Sequence, residues 1–198
     1  MSKFGKAVDK EVRYNGLNMF KAFLGGMAFG ALLMGLLLLP STLQASDANM
    51  DRFCLAQNIY FESANQSFAG QIAVSHVVIN RVNSDLFPNS ICEVVYQSKL
   101  KENWLGNMVP IRNQCQFSWY CDGKSDDPVD SVTWLNSIKV ADMVLNDRYP
   151  DITEGSLWYH ADFVKPYWAN QLQLVTTIDN HLFYKWLAGY LVGLVLST

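Results

Sequence analysis

One carboxylate in this chain stands in surroundings that suit acid chemistry. Glu62 follows the aromatic residues Tyr60 and Phe61, and a strongly apolar segment begins only a few residues after it. A glutamate held against apolar surface has a raised pKa, because desolvation disfavours the charged form of the carboxyl group. A carboxyl group that keeps its proton near neutral pH is suited to general acid catalysis. Glu62 is therefore the candidate centre of the chemistry.

Two helices are predicted on either side of Glu62. Apolar residues recur at helical spacing from about residue 51 to 63, and the polar residues 65–67 then break the pattern. A second helix is predicted from about residue 69 to 82, and it is apolar on most sides, which predicts burial. Glu62 should therefore lie at the end of the first helix, beside a turn.

Two further helices are predicted from their first residues. Ser90 and Glu93 have the spacing of a capping box at the start of a short helix. Asp130 or Ser131 should cap a longer helix that ends near Leu145. Both helices are expected to belong to the same domain as Glu62.

Strands are predicted only near the C-terminal end. Residues 157–161 and 174–186 are rich in aromatic and β-branched side chains, which favour strands. Residues 98–114 have no clear periodicity and are expected to cross the surface as an irregular excursion. The predicted fold class is α+β and mostly helical, with a small β-sheet in a single domain over residues 51–186.

An uncharged apolar segment precedes that domain. Residues 22–39 would reach about 27 Å as a helix, close to the thickness of a bilayer's hydrocarbon core. Only two acidic residues precede this segment, against five basic ones. The basic residues are Lys3, Lys6, Lys10, Arg13 and Lys21. Such a positive flank predicts that residues 1–21 stay in the cytoplasm and that the rest of the chain is exported.

The fate of the apolar segment is open between a retained anchor and a cleaved signal. Ala45 and Leu43 form a passable signal-peptidase site ahead of Ser46, in an expected linker over residues 40–50. The length of the segment favours an anchor in the inner membrane, facing the periplasm or cell wall. Its glycine and alanine content also suits the signal-anchor-release segments of some phage endolysins. The apolar tail, residues 187–198, is too short to span a bilayer.

The four cysteines agree with export, because all of them lie beyond the apolar segment. An even count in an exported domain predicts two disulfides, for which three connectivities exist. Cys115 and Cys121 flank a short aromatic loop and are expected to pair, which leaves Cys54 with Cys92. A zinc site is the alternative, but no cysteine or histidine pair has ligand spacing. We therefore expect no metal and no cofactor.

Charge and aromatic content narrow the class of partner. From Ser46 onward the chain carries 10 Lys and Arg against 16 Asp and Glu, without a basic patch, which disfavours nucleic acid binding. Several aromatic residues fall in segments with no helical pattern, and aromatic faces are platforms for sugar rings. For any single one of them a place in the core is favoured, whereas as a group they suit an exported carbohydrate enzyme. They are Trp104, Trp119, Tyr120, Trp158, Tyr159, Tyr167 and Trp168.

Several motifs, in order along the chain, carry a resemblance to a known family. They are Tyr60-Phe61-Glu62, Gly70-Gln71 and Asn80-Arg81, followed by matching segments at 87–97, 115–119, 153–161, 166–168 and 181–184. Over roughly residues 52–186 the chain resembles the cell wall hydrolase family of the spore-cortex-lytic enzymes, the SleB/CwlJ group. The sequence departs from that family at Ala64, Asn65 and Gln66, where the family often has Arg and Gly and usually a second Glu.

The resemblance implies a lysozyme-like catalytic domain that cleaves peptidoglycan between N-acetylmuramic acid and N-acetylglucosamine. Glu62 is then the catalytic acid. A glycosidase that adds water normally needs two carboxylates, and Gln66 stands where the second is expected. A lytic transglycosylase needs only one, so this activity is favoured. The expected partners are peptidoglycan and, through the N-terminal helix, a membrane.

The matching segments also supply candidate substrate-binding residues: Gln116, Ser118, Trp119, Tyr159, His160 and His181. The two histidines are equally compatible with a structural role. Two other functions remain open. One is an amidase that cuts the peptide stem, for which the zinc ligand spacing is missing. The other is a non-catalytic protein that binds the wall or assists membrane assembly. The sequence does not distinguish a bacterial from a phage origin.

Overall fold

The computed structural model describes residues 40–186 of the chain, with side chains from Asp47 onward. The predicted membrane or signal helix at 22–39, its basic flank and the apolar tail lie outside these residues. Among the helices that are described, none has both the length and the apolar character needed to cross a membrane.

The described part of the chain contains four α-helices, two short 3-10 helices and five strands. The α-helices are α1 (Pro40–Ser63), α2 (Phe68–Val82), α3 (Ile91–Val95) and α4 (Ser131–Leu145), and short 3-10 helices cover Ser118–Cys121 and Tyr167–Gln171. The strands are β1 (Ser98–Glu102), β2 (Met108–Cys115), β3 (Trp158–Ala161), β4 (Gln173–Ile178) and β5 (His181–Lys185). This mixture of helix and sheet confirms the predicted α+β class.

Helix α1 begins earlier than predicted. It was expected from about residue 51, after a linker, but it is helical from Pro40. Proline is favoured in the first turn of a helix, because its fixed backbone angle suits the helix and its missing N–H would have no partner there. Beyond Pro40 no further proline or glycine interrupts the helix before Ser63. Residues 40–50 are therefore helical rather than an extended linker.

Helix α2 is the central element of the core. One group of its side chains, including Ile72 and Val78, packs with buried residues of α1, α3 and α4. Another group, including Val74 and Val77, packs against Phe183 of β5. The apolar character on most sides of this helix is thus explained by burial between the other helices and a sheet.

That sheet has three antiparallel strands in the order β3–β5–β4. The sequence predicted strand structure over residues 174–186 without locating a turn, and the chain turns back at Asp179 and Asn180 to form β4 and β5. Asp179 has a φ of 51°, in the left-handed region that aspartate tolerates better than most residues. The Asp179-Asn180 pair is itself a turn signal that the strand-rich composition concealed.

Strands β1 and β2 form an antiparallel hairpin where an irregular excursion was expected. Asn103 shapes its turn, since its side-chain oxygen accepts hydrogen bonds from the backbone N–H groups of Leu105 and Asn107 at 2.9 and 3.0 Å. Most of the hairpin side chains are exposed. A strand exposed on both faces has no alternation of polar and apolar residues, so the periodicity signal was absent.

The predicted helix caps and disulfides are confirmed. The Ser90 side chain caps α3 by accepting from the Glu93 N–H at 3.4 Å, and its hydroxyl donates to the Glu93 carboxylate at 2.8 Å. Asp130 caps α4 by accepting from the N–H of Thr133 at 2.7 Å. The cysteines form the expected pairs, Cys54 with Cys92 and Cys115 with Cys121.

Gly70 allows the β4–β5 turn to approach the start of α2. The Asp179 carboxylate accepts hydrogen bonds from the backbone N–H and the hydroxyl of Ser67, at 2.9 and 2.8 Å. A Cβ atom at position 70 would lie 2.3 Å from that same carboxylate oxygen and 2.8 Å from the Cβ of Gln66. The Gly-Gln motif therefore contains a glycine that the packing of the sheet on α2 requires.

We expect Gly70→Ala to lower the free energy of unfolding by about 1–2 kcal/mol. The helix propensity of alanine favours the variant by up to about 1 kcal/mol, but steric overlap in a packed site typically costs about 1–3 kcal/mol. Urea unfolding would measure the change. In an Asp179→Ala background part of the overlap is removed, so the same substitution should cost less. An equal cost in both backgrounds would contradict this explanation.

Candidate active site

Glu62 lies in the last turn of α1, one residue before the helix ends at Ser63. The chain then turns, and the backbone N–H of Gln66 donates to the carbonyl of Ser63 at 2.9 Å. The Glu62 residue as a whole is half-buried. Its predicted place, at a helix end beside a turn, is confirmed.

Tyr159 of β3 holds the Glu62 carboxyl group. Its hydroxyl donates a hydrogen bond of 2.9 Å to Oε2 of Glu62. The Tyr159 ring packs against Phe183 of β5, with ring centroids 5.6 Å apart, and Phe183 is fully buried on α2. Burial, and then the negative charge of Glu62, raise the pKa of Tyr159 well above its ordinary value. Tyr159 therefore keeps its proton and acts as a hydrogen-bond donor to Glu62.

Arg81, near the end of α2, is a buried cation beside this pair. Its Nε donates to the carbonyl of Leu157 at 2.8 Å. The guanidinium group lies over the rings of Phe87 and Phe117, at 5.1 and 5.2 Å from their centroids. Burial lowers the pKa of Arg81 to about 10, and the electrostatic effects of Tyr159 and Glu62 act in the opposite direction. Arg81 is thus still charged at neutral pH.

The pKa of Glu62 is raised by its surroundings. Burial is the largest cause and favours the protonated carboxyl group. The hydrogen bond from Tyr159 and the positive charge of Arg81 both lower the pKa of Glu62, but they do not outweigh burial. Neither of these two groups is a carboxylate. Glu62 can therefore donate a proton, and Tyr159 and Arg81 stabilise the carboxylate that remains.

The Asn80-Arg81 motif fixes the approach to β3. The Asn80 side chain donates to Asp151 at 2.9 Å and to the carbonyl of Ser156 at 3.2 Å. Arg81 binds the next carbonyl along the chain, that of Leu157. Two adjacent side chains of α2 therefore anchor the segment that leads directly to Tyr159.

Trp119 is a core residue beside Glu62. It is 7% exposed, and its ring stacks on Phe61 with centroids 4.8 Å apart. Its indole N–H donates to the side-chain oxygen of Asn58 at 3.2 Å. These contacts fit the core alternative that the sequence left open for each aromatic residue. Through Phe61, Trp119 supports the apolar surroundings at the end of α1.

Gln116 and Ser118 are exposed and lie on either side of the buried Phe117. The backbone N–H of Gln116 donates to the carbonyl of Gln97 at 2.9 Å. Gln116 also lines an open cavity of about 660 Å³ beside the β1–β2 hairpin. The residues that line this cavity do not include Glu62, so the structure places Gln116 at a surface feature of its own.

The two histidines lie in different surroundings. His181 is buried, and its ring meets the edge of Tyr159 with centroids 5.1 Å apart. Burial lowers the pKa of His181, opposed by the charges of Asp179 and Asp162. His181 therefore joins Tyr159 and Glu62 in the candidate site, as a neighbour of Tyr159.

His160 points to the opposite face of β3, because successive strand residues alternate between faces. Its Nδ1 lies 2.8 Å from the carbonyl of Ala161, and its Nε2 lies 2.9 Å from the hydroxyl of Tyr184. The ring also stacks on Tyr184, with centroids 5.2 Å apart. With both ring nitrogens engaged inside the protein, His160 fits the structural alternative.

The sequence did not identify Arg81 as a member of the site. It was noted only as the end of a family motif, and Phe87 and Phe117, which enclose it, were parts of matching segments. One signal was available: Arg81 is a single cation on a helix predicted to be buried. Buried charges are rare unless they interact with another group, so this position could have been singled out.

The described residues contain no group of three or more His, Cys, Asp or Glu side chains that could hold a metal ion. All four cysteines are in disulfides.

Solved structures of similar fold come from two Bacillus species. The catalytic domain of the germination-specific lytic transglycosylase SleB from Bacillus anthracis is 24% identical, with a TM-score of 0.50 over 68% of this chain and 93% of that domain. The catalytic domain of the Bacillus cereus SleB protein is 22% identical, with a TM-score of 0.48 over 69% of this chain and 91% of that one. The former likeness shows the fold.

Curated relatives match over a short segment. The spore cortex-lytic enzyme of Bacillus subtilis (strain 168) is 42% identical over 50 residues, which are 25% of this chain and 16% of that enzyme. The segment shared with this chain thus spans about a sixth of the relative's length.

The family assignment rests on a longer match. The cell wall hydrolase family, Hydrolase_2, matches residues 65–184, which is more than half of the chain and begins just after Glu62. The chain, with its helix-borne glutamate and its three-stranded sheet, therefore belongs to the cell wall hydrolase family.

Proposed function

We propose that this protein cleaves the glycan strands of peptidoglycan, with Glu62 as the general acid. The observation that carries the proposal is the Glu62 carboxyl group itself: it is desolvated, its pKa is raised, and Tyr159 holds it in place. Membership of the cell wall hydrolase family supports the class of substrate. General acids of glycosidases have this combination of burial and fixed orientation.

The proposed reaction begins with protonation of the glycosidic oxygen between N-acetylmuramic acid and N-acetylglucosamine. The bond from that oxygen to the anomeric carbon breaks as positive charge develops on the muramic acid ring. The 6-hydroxyl of the same sugar attacks the anomeric carbon, and the Glu62 carboxylate accepts the proton of that hydroxyl. The products are a 1,6-anhydromuramic acid end and a free 4-hydroxyl, and Glu62 is again protonated.

We favour this transglycosylase reaction over hydrolysis because it uses a single carboxylate. The two side chains that shift the pKa of Glu62 are a tyrosine and an arginine. An inverting hydrolase needs a second carboxylate to activate water, and a retaining one needs it as nucleophile. Attack by the sugar's own hydroxyl is intramolecular, so proximity replaces the activation of a separate water molecule. The Bacillus anthracis domain of similar fold is itself described as a lytic transglycosylase.

We further propose that the domain acts outside the cytoplasm. Its four cysteines pair in two disulfides, which form and persist in oxidising compartments. A substrate in the cell wall requires the same location. The N-terminal segment would either anchor the domain in the membrane through residues 22–39 or be removed by cleavage near Ala45. Both routes are compatible with an endolysin.

Product analysis tests the reaction directly. The oxidised protein would digest purified peptidoglycan in water enriched in oxygen-18, followed by mass spectrometry of the muropeptides. We expect unlabelled 1,6-anhydro ends. Labelled reducing ends would mean that water is the acceptor and would replace the transglycosylase with a hydrolase. Released peptides with intact glycan strands would indicate an amidase, and no release would favour a non-catalytic wall-binding protein.

Tyr159→Phe is expected to lower the rate of cleavage by roughly tenfold to a hundredfold, the range that follows from misplacing a reacting group. The substitution keeps the ring but removes the hydroxyl that holds Oε2 of Glu62. It also removes a hydrogen bond that lowers the pKa of Glu62. The limb on which kcat/KM falls with rising pH should therefore move to higher pH.

Tyr184→Phe is the matched control for this variant. It removes a tyrosine hydroxyl from the same sheet, but that hydroxyl contacts His160 rather than Glu62. We expect nearly wild-type kcat/KM and no displacement of the pH limb. Equal losses in the two variants would mean that the sheet, and not the contact with Glu62, accounts for the effect.

A further inference from the structure

The least expected side chain near Glu62 is the buried cation Arg81. We propose that Arg81 is a positioning residue for the acid: it fixes the strand end from which Tyr159 reaches Glu62, and its charge eases release of the Glu62 proton. This inference rests on the proposed function, since it concerns how the same site works. It assigns Arg81 no contact with the substrate.

The positioning part follows from the contacts of Leu157. The Leu157 carbonyl accepts from Nε of Arg81 at 2.8 Å, while the Leu157 N–H donates to the carbonyl of Tyr184 in β5 at 3.0 Å. Leu157 is therefore held by α2 on one side and by the sheet on the other. Tyr159, two residues further on, carries the hydroxyl that binds Glu62. Loss of the Arg81 bond would free one of the two attachments of this strand end.

The charge part follows from burial. Arg81 is 4% exposed, between the rings of Phe87 and Phe117. Its Nη1 is buried without a hydrogen-bond partner. The bond to Leu157 uses only the Nε–H group and does not by itself require a charge, and an incompletely paired buried cation costs stability. The positive charge of Arg81 lowers the pKa of Glu62, and the negative charge of Glu62 raises the pKa of Arg81, so the two groups attract each other.

An acid catalyst must release its proton as well as hold it. Burial alone favours the protonated form of Glu62, and a carboxyl group that is too weak an acid transfers its proton poorly. The groups that act in the opposite direction are Arg81 from α2 and Tyr159 from β3. His181 from β5 contacts the Tyr159 ring. Arg81 is thus the positive charge that acts on Glu62 among these neighbours.

Two substitutions separate the two parts. Arg81→Met keeps an unbranched side chain between the rings but removes both the charge and the bond to Leu157. Arg81→Lys keeps the charge but lacks the Nε–H that binds Leu157. The titration of Glu62 would be followed by NMR of protein labelled with carbon-13 at the glutamate carboxyl groups. The pH dependence of kcat and kcat/KM would be measured in parallel.

We expect Arg81→Met to raise the pKa of Glu62 by about 1 or more, the usual effect of losing a nearby opposite charge. Its kcat should fall by roughly tenfold or more, and its pH limb should move upward with the titration. Arg81→Lys should also have a lower kcat, but with a smaller rise in the pKa of Glu62, because it loosens the hydrogen bond from Tyr159 and keeps the positive charge. If Arg81 acted only by positioning Tyr159, the two variants would move the titration equally.

Each outcome decides one part of the proposal. A folded Arg81→Met protein with the wild-type titration would overturn the role of the charge, and wild-type kcat in Arg81→Lys would overturn the positioning role. If Arg81→Met does not fold, Arg81→Gln supplies the neutral variant while keeping a hydrogen-bond donor. The titration needs no substrate, so it separates this proposal from the proposed function. If Arg81→Met moves the titration of Glu62 but the wild-type protein leaves peptidoglycan intact, only the proposed function is refuted.

Discussion

Glu62→Gln is expected to lower the rate of peptidoglycan cleavage by about 10²–10⁴-fold, the usual contribution of a general acid. Glutamine keeps the size and the hydrogen-bond acceptor for Tyr159, but its amide has no acidic proton to give to the glycosidic oxygen. The measurement is the initial rate of muropeptide release at several pH values. Residual activity in the variant should no longer depend on pH through the range in which Glu62 titrates.

The same substitution should not destabilise the protein at neutral pH. Because burial raises the folded-state pKa of Glu62 above its unfolded value, the ionised carboxylate costs stability, and this cost grows as pH rises through the folded-state pKa. A neutral glutamine avoids that cost. Glu102→Gln is the matched control, since Glu102 is an exposed carboxylate on β1. Full activity in a folded Glu62→Gln protein would refute the assignment of the acid.

Removal of the two disulfides should have unequal effects on stability. Cys54 and Cys92 are separated by 38 residues and join α1 to α3, whereas Cys115 and Cys121 are separated by only 6. Loop-closure entropy then gives about 4 kcal/mol for the longer connection and about 2 kcal/mol for the shorter one. We expect Cys54→Ala with Cys92→Ala to lower the free energy of unfolding by the larger amount.

The paired alanine variants are each other's control, because each removes two sulfur atoms. Urea unfolding of both, with the remaining disulfide oxidised, would give the two losses. A larger loss for the Cys115–Cys121 pair would contradict the loop-length argument. It would mean that local packing around the aromatic 3-10 helix, rather than restriction of the unfolded chain, controls the effect.

Local signals in the sequence were sufficient to place the helices beyond residue 51 and to put the candidate acid at the end of α1. The break after Ser63, the capping residues Ser90 and Asp130 and the apolar pattern of α2 each depend on residues within a few positions of one another. The place of Glu62 followed from the same pattern. The disulfide pairing followed from counting and from the short interval between Cys115 and Cys121.

The contacts that make up the site were not accessible in this way. Tyr159 and Glu62 are far apart in the chain, and the strand that carries Tyr159 reaches Glu62 only because Phe183 and the Asn80-Arg81 pair fix the sheet on α2. Such a contact depends on tertiary packing and leaves no periodic pattern. The predicted role of Tyr159 was binding of the substrate, whereas its hydroxyl binds the candidate acid.

The β1–β2 hairpin was missed, and the role of His160 was left open, for a related reason. Neither strand of the hairpin buries one face, so its sequence lacks the alternation of polar and apolar residues that would have predicted a strand. His160 and Tyr159 are adjacent in the sequence and matched the family equally well. Only the alternation of side chains along β3 separates the one that faces Glu62 from the one that bonds Tyr184.

The pH dependence of kcat/KM on soluble glycan strands tests the central claim most directly, since it reports the protonation state that the free enzyme needs. If Glu62 acts as a general acid, kcat/KM should be constant at low pH and fall as pH rises through the pKa of Glu62. That fall should be centred above the ordinary glutamate range, because burial raises this pKa. A rate that instead rises with pH across that range would show that an ionised group is required, and would contradict the account.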